Sequence, residues 1–245
     1  MRFFLLLAIF LLLSACSHDG EVFHSVEIGD IMQFGGQYWS VMNIEDNHAL
    51  LLRKFVMEGL SFHYDFVDVT WETSRAREWL NGEFFYEFSE AERARIRETT
   101  LLNFDNPWTF YMWDLHGNTP GGNTTTDKIF LLSIDDVLRY FGDSGMVLAG
   151  TDETARDWYG NLSTLEWSIG GWSIHDQYSA ARVAYNIDGE SSRWWLRSPG
   201  FDSRYAARIL TEGILDLRGV SVNHEIVRHG FRPALWLNLE EGDKS

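Results

Sequence analysis

Arg193-Trp194-Trp195-Leu196-Arg197, running on into Ser198-Pro199-Gly200, is a short apolar and aromatic run closed by turn residues. Such a run reads as a β-strand, and the stretches after it read alike. Residues 205–211, 214–217 and 231–237 are strand-forming, with Glu212-Gly213 as a tight turn between the first two. The C-terminal third is therefore expected to be β. Upstream, residues 161–190 are irregular and rich in Gly and Ser, and residues 151–159 read as a short helix. Residues 128–132 read as a buried strand running into a helix that Ser133 caps, with Ile134, Val137, Leu138 and Phe141 on its inner face.

Residues 103–127 form a long polar and aromatic loop, of a length that is usually functional or unstructured. Before it, residues 73–81 predict a helix with Ala76, Trp79 and Leu80 on one face, and Ser89 opens another with Glu92 in the capping-box position. Residues 99–103 return as a strand. At the start, residues 30–34, 37–44 and 49–56 alternate in strand fashion, with turns at Gly35-Gly36 and at residues 45–48. Strands at both ends with helices and long loops between them predict an α+β domain, not a series of βαβ units. No internal repeat or linker divides it, so residues 26–240 are expected to form one domain, followed by a tail at 241–245.

Met1 to Cys16 has a different character. Arg2 gives a positive start, residues 3–13 are unbroken apolar sequence, and Leu13-Ser14-Ala15-Cys16 closes the run. The run is too short for a mature membrane-spanning helix and has the three parts of an export signal. Its ending resembles the bacterial lipobox, which implies cleavage after residue 15, lipidation of Cys16, and a tether over residues 16–25. An ordinary secretory signal is the alternative. The lipid would then be the only membrane anchor, holding the domain in the cell envelope outside the cytoplasm.

Cys16 is the only cysteine, so the folded part has no disulfide, thiolate metal site or cysteine nucleophile. A formal charge of −16 disfavours nucleic acid and anionic lipid surfaces as partners. The chain carries 11 Trp, 9 Tyr and 17 Phe, which serve equally as core and as rigid binding surface.

Several ordered motifs resemble a bacterial domain-of-unknown-function family, number 6273. They are Trp194-Trp195-Leu196-Arg197-Ser198-Pro199-Gly200, Ala206-Ala207, and Gly230-Phe231-Arg232-Pro233-Ala234-Leu235-Trp236-Leu237. Upstream matches include Val69-Thr70-Trp71-Glu72-Thr73, Arg77-Glu78-Trp79-Leu80-Asn81, Asp105-Asn106-Pro107, Thr119-Pro120-Gly121-Gly122-Asn123 and the segment from Thr125 to Ser133. That family is distantly similar to the C-type-lectin-like fold, in the branch shared with the formylglycine-generating enzyme. The resemblance implies mixed and antiparallel sheets, a few short helices and long loops, closed by a Gly-Phe-Arg strand. The copper-holding cysteine pair of that enzyme is missing here, as are the Glu-Pro-Asn, Gln-Pro-Asp and Trp-Asn-Asp tripeptides of calcium-dependent lectins.

In C-type-lectin-like proteins the region near the closing strands forms the ligand surface. The matching segment here offers Asp202, Arg204, Tyr205, Arg208, Asp216, Arg218, Asn223 and His224, interleaved with the core-like Ala206, Ile209, Leu217 and Val220. Plain strand alternation with polar residues facing water explains the same pattern. His224 and His229 are five apart, the wrong spacing for a helical zinc pair, and read as solvated loop residues. Asp105, Asn106, Asp114, Asn118, Asn123 and Asp127 could supply oxygens to a structural calcium ion, the one cofactor considered. Arg197 and Arg232 read as buried structural arginines, each paired with a carboxylate.

No nucleophile elbow, phosphate loop or dinucleotide fingerprint is present. The expectation is a lipid-anchored surface protein without catalysis of its own, binding a glycan, a peptide or another surface protein. The alternative is an envelope hydrolase acting on polysaccharide or cell wall through Asp and Glu carboxylates.

Overall fold

The computed structural model describes residues 26–106, 119–145, 173–224 and 229–240. The first three strands are the meander expected from sequence: β1 (Ile31–Phe34), β2 (Gln37–Glu45) and β3 (His48–Arg53). Their two-residue turns, Gly35-Gly36 and Asp46-Asn47, all take positive φ, at 57°, 68°, 47° and 66°. This left-handed geometry matches the twist of the flanking strands, and Gly, Asp and Asn bear it at least cost. β3 is buried along Ala49, Leu50, Leu51 and Leu52, so it is covered on both faces. The far side of β3 pairs with the last strand of the described chain, β13 (Ala234–Asn238), giving the antiparallel order β1-β2-β3-β13. The outer edge of β13 is covered by Ile96 and Phe130, each through an isolated bridge.

The second sheet is built around β9 (Ser191–Pro199), which holds the Trp-Trp stretch. Its order is β4 (Met57–Glu58), β12 (His229–Phe231), β9, β10 (Tyr205–Ile209), β11 (Leu215–Ser221) and β7 (Ser173–Ile174), with β8 (Ala184–Tyr185) against the start of β9. The pairings are antiparallel apart from β12 with β9. Because strand side chains alternate, Trp194 and Trp195 serve opposite faces. Trp194 packs with Phe141 and donates its indole N–H to the Arg182 carbonyl at 3.2 Å. Trp195 packs with Phe62 and donates to the Leu60 carbonyl at 3.0 Å. Both indoles are fully buried, each removing about 4–6 kcal/mol worth of apolar surface from water before ordering costs. One hydrophobic cluster runs from Phe34 to Leu239 and includes residues of both sheets.

Residues 231–237 are not one strand. Phe231 ends β12 in the second sheet and Ala234 begins β13 in the first, so Arg232-Pro233 is the crossing point. Proline has no N–H to continue a ladder, and its carbonyl instead accepts from the Arg53 N–H at 2.8 Å. Residues 129–132 are buried as expected, yet only Phe130 makes a bridge, to Ala234, so the segment is not a strand. A small third sheet pairs β5 (Thr99–Leu101) with β6 (Thr125–Asp127).

The helices are short. α1 (Arg75–Trp79), capped by Ser74, passes into a π turn at Leu80–Phe84 and a 3₁₀ turn at Phe85–Glu87, burying Ala76, Leu80 and Phe84. α2 (Glu90–Arg95) has the Ser89–Glu92 capping box. α3 (Ile134–Phe141) has an equivalent box between Ser133 and Asp136. α4 (Ser179–Arg182) is a single turn. The architecture is α+β, mostly antiparallel sheet with a few short helices. No described helix is long and apolar enough to cross a membrane. The helix expected at 151–159 and the signal and tether at 1–25 lie outside the described residues.

Candidate ligand-binding face

The eight residues singled out on the C-terminal strands separate into two groups, joined along one side by residues 60–69. The first group is an aromatic row. Phe66 meets Tyr205 edge-on at 5.8 Å, and Tyr205 meets Phe201 at 4.3 Å. Each end of the row carries an arginine: Arg204 lies 5.1 Å over Phe66, and Arg218 lies 5.4 Å over Phe201. Phe66 is 45 % exposed. Asp202 fixes Arg204 by two side-chain bonds, at 2.8 and 2.9 Å. These bonds hold the Asp202 carboxyl below its ordinary value and raise the Arg204 guanidinium. A large exposed phenyl ring normally costs solvation free energy; three neighbouring rings held by two cations form a rigid, partly wet platform.

The second group lies across the middle of the sheet. Arg208 stands opposite Trp195 on one neighbouring strand and opposite Asp216 on the other. Its side chain bonds Asp216 at 2.9 Å, and the other Asp216 oxygen accepts the Gly219 N–H at 3.1 Å. His229 stands opposite Arg193 in the parallel β12–β9 pair and stacks on Trp195, centroids 4.0 Å apart. His229 is not the solvated loop residue expected from sequence: it is 1 % exposed, and neither ring nitrogen has a hydrogen-bond partner. Burial, with the charges of Arg208 and Arg193 and the neighbouring His224, pushes its pKa down to about 2. His224 is half-buried and also lowered, first by burial and then by the same two arginines. Asn223 is half-buried beside it.

Residues 60–69 border both groups. The Leu60 carbonyl takes the Trp195 indole, Phe62 packs on Trp195, and the His63 N–H donates to Val222. Phe66 then reaches Tyr205, and the Val69 N–H donates to Ser203. The sequence reading had singled out Asp202, Arg204, Tyr205 and Arg218 of the first group and Arg208, Asp216 and His224 of the second, with Asn223 next to His224 in the chain. It missed Phe66, Arg193 and His229.

The acidic loop residues have other partners. Asp127, fully buried, accepts from the Trp71 indole at 2.9 Å, the Thr125 hydroxyl at 2.8 Å and Arg77 at 2.6 Å. Asp105 accepts the Gly121 N–H, and Asn123 donates to Glu72. Asn106 is buried and donates to the carbonyls of Pro199, Gly200 and Leu217, tying the loop to β9 and β11. Asp114 and Asn118 lie outside the described residues. Among the described residues no group of three or more His, Cys, Asp and Glu is arranged to hold a metal. Arg197 is the buried, carboxylate-paired arginine expected, bonded to Asp136 and to the Leu131 carbonyl. Arg232 is equally buried but pairs with no carboxylate among the described residues. It donates to the Arg53 carbonyl at 2.9 Å and lies 5.3 Å over Trp194, and burial lowers it to about 10.

A family model described as a domain of unknown function (DUF6273) matches residues 46–239, about four fifths of the chain. No curated protein and no solved structure matches it significantly.

Proposed function

The chain belongs to the DUF6273 family, and from that premise we propose that it is a lipid-anchored protein of the bacterial envelope that binds a ligand without transforming it. Cys16 would carry the lipid, and the domain would face away from the cytoplasm. We read its α+β architecture as a distant form of the C-type-lectin-like fold: the β10–β11 hairpin precedes the closing Gly230-Phe231-Arg232 strand. The observation that carries the binding reading is the row Arg204–Phe66–Tyr205–Phe201–Arg218. Its rings are held in place yet partly open to solvent, the arrangement that lets a platform stack on a sugar or an apolar side chain without much ordering cost.

Asp202 is held by Arg204 and Asp216 by Arg208, which disfavours either of these two as a general acid. The test is to display the full chain, solubilised in detergent, against glycan and surface-protein arrays. Binding weakened at least tenfold by Phe66→Ala with Tyr205→Ala supports the reading. Wild-type binding that these changes leave intact removes this face as the site. Turnover of a cell-wall polysaccharide that a single Asp or Glu change abolishes overturns the reading in favour of a hydrolase.

A further inference from the structure

Arg193 is half-buried on β9, and among the described residues it forms no ion pair and no hydrogen bond. A half-buried guanidinium without an acid partner is costly, and this one belongs to a group of basic residues. His229 is its register partner, and His229 is stacked on Trp195, whose own register partner is Arg208. The one carboxylate bonded within the group is Asp216, which already bonds both Arg208 and the Gly219 N–H. Glu58, on the adjoining strand β4, is taken up by the Ser192 hydroxyl and Asn186. With both histidines neutral, the described side chains Arg193, Arg208 and Asp216 together carry one net positive charge, in a protein whose formal charge is −16. His229 adds two buried ring nitrogens without partners.

Resting on the binding reading above, we propose that the ligand is an acidic saccharide whose carboxylate is held by Arg193, with Arg208 and His224 beside it. The aromatic row of Phe66, Tyr205 and Phe201 receives the ring faces of neighbouring sugars. Arginine suits the first task because its planar fork matches a carboxylate with two parallel hydrogen bonds. Aromatic rings suit the second, since the faces of a sugar ring are largely C–H. Residues 60–69 border both parts.

The test uses the detergent-solubilised full chain on an array of matched pairs, each a uronic- or sialic-type saccharide and its methyl ester. The ester keeps the sugar and removes the charge. The free acids are expected to bind at least tenfold tighter than their esters. Arg193→Gln is expected to erase that difference, while Arg193→Lys keeps part of it, and circular dichroism checks that both variants fold. Phe66→Ala is expected to weaken acid and ester alike. Esters that bind as well as acids, or a preference that survives Arg193→Gln, overturn the acidic-ligand proposal and leave the binding reading standing. Selective capture of acidic peptides in place of saccharides also overturns the proposal. No binding to any saccharide or protein overturns both.

Discussion

His229 is an imidazole kept neutral by its surroundings, and this has a measurable consequence. Above about pH 6.5 the ring is neutral in the folded and the unfolded chain, so it adds no pH dependence. Below that value the unfolded chain takes up a proton that the folded chain resists until about pH 2. Stability should therefore fall by up to about 1.4 kcal/mol per pH unit on the acid side. The charges facing the ring, Arg208 and Arg193, and the ring of His224 all oppose its protonation, while Trp195 beneath it is neutral. His229→Phe keeps a flat ring and removes the titration. Urea unfolding at pH 7.5 and pH 5 should show the wild type losing about 2 kcal/mol more than the variant. Asn106 has the opposite logic, an amide donating to three buried carbonyls. Asn106→Asp would set a carboxylate against those carbonyls, and a loss of at least about 3 kcal/mol is expected by the same assay. Neither role could be read in sequence. An Asn in a polar loop looks like a turn residue, and a histidine beside other polar residues looks solvated until the sheet covers it.

At the scale of elements, local signals that act within a few residues were legible. Ser89 with Glu92, Ser133 as a cap, and the two hairpin turns each need only near neighbours, and each forms as the spacing predicts. What sequence hid was the identity of distant partners. The apolar run after Gly230 looks continuous, and only its neighbours show that Phe231 and Ala234 join different sheets. Gly230 shows why the first half of that run cannot vary. A Cβ there would lie 1.8 Å from the Met57 carbonyl oxygen on the paired strand. Backbone cannot retreat as a flexible side chain can, so Gly230→Ala should cost at least about 2 kcal/mol, read as a lower unfolding midpoint with the fold retained or lost outright. The candidate face was only partly legible for the same reason. Tyr205 and Arg218 stood out on strands, whereas Phe66 reaches the row from a loop far away in sequence.

For the whole molecule, charge sets the course of association. A body with a formal charge of −16 repels an acidic saccharide at long range, even where a local basic group holds it at contact. If Arg193 receives a carboxylate, the association rate should rise as salt increases from about 10 to 150 mM, because screening shortens the repulsion. The dissociation rate should rise too, as the contact itself weakens. Surface plasmon resonance separates the two, and an association rate that falls with salt would contradict the whole-body argument. Fold class was readable at this scale, since strands at both ends with helices between them describe what is observed. The pairing of β3 with β13, which brings residues 48–52 against residues 234–238, was not.

That pairing places the first and last strands among the described residues at opposite edges of one four-stranded sheet. Gly29 bonds to the Val41 carbonyl, so the chain enters β1 from the same end of the sheet at which Asn238 finishes, beside His48. Three strand spacings across the sheet and about three residues along it separate those points, about 17 Å in all. A bridge of about ten flexible residues would join residue 240 to residue 26. A circular permutant reopened at Gly189, in the exposed turn between β8 and β9, would keep every strand pair described above. The domain could then be attached to a carrier from that turn, and the order in which its strands leave the ribosome would change with the folded topology unaltered.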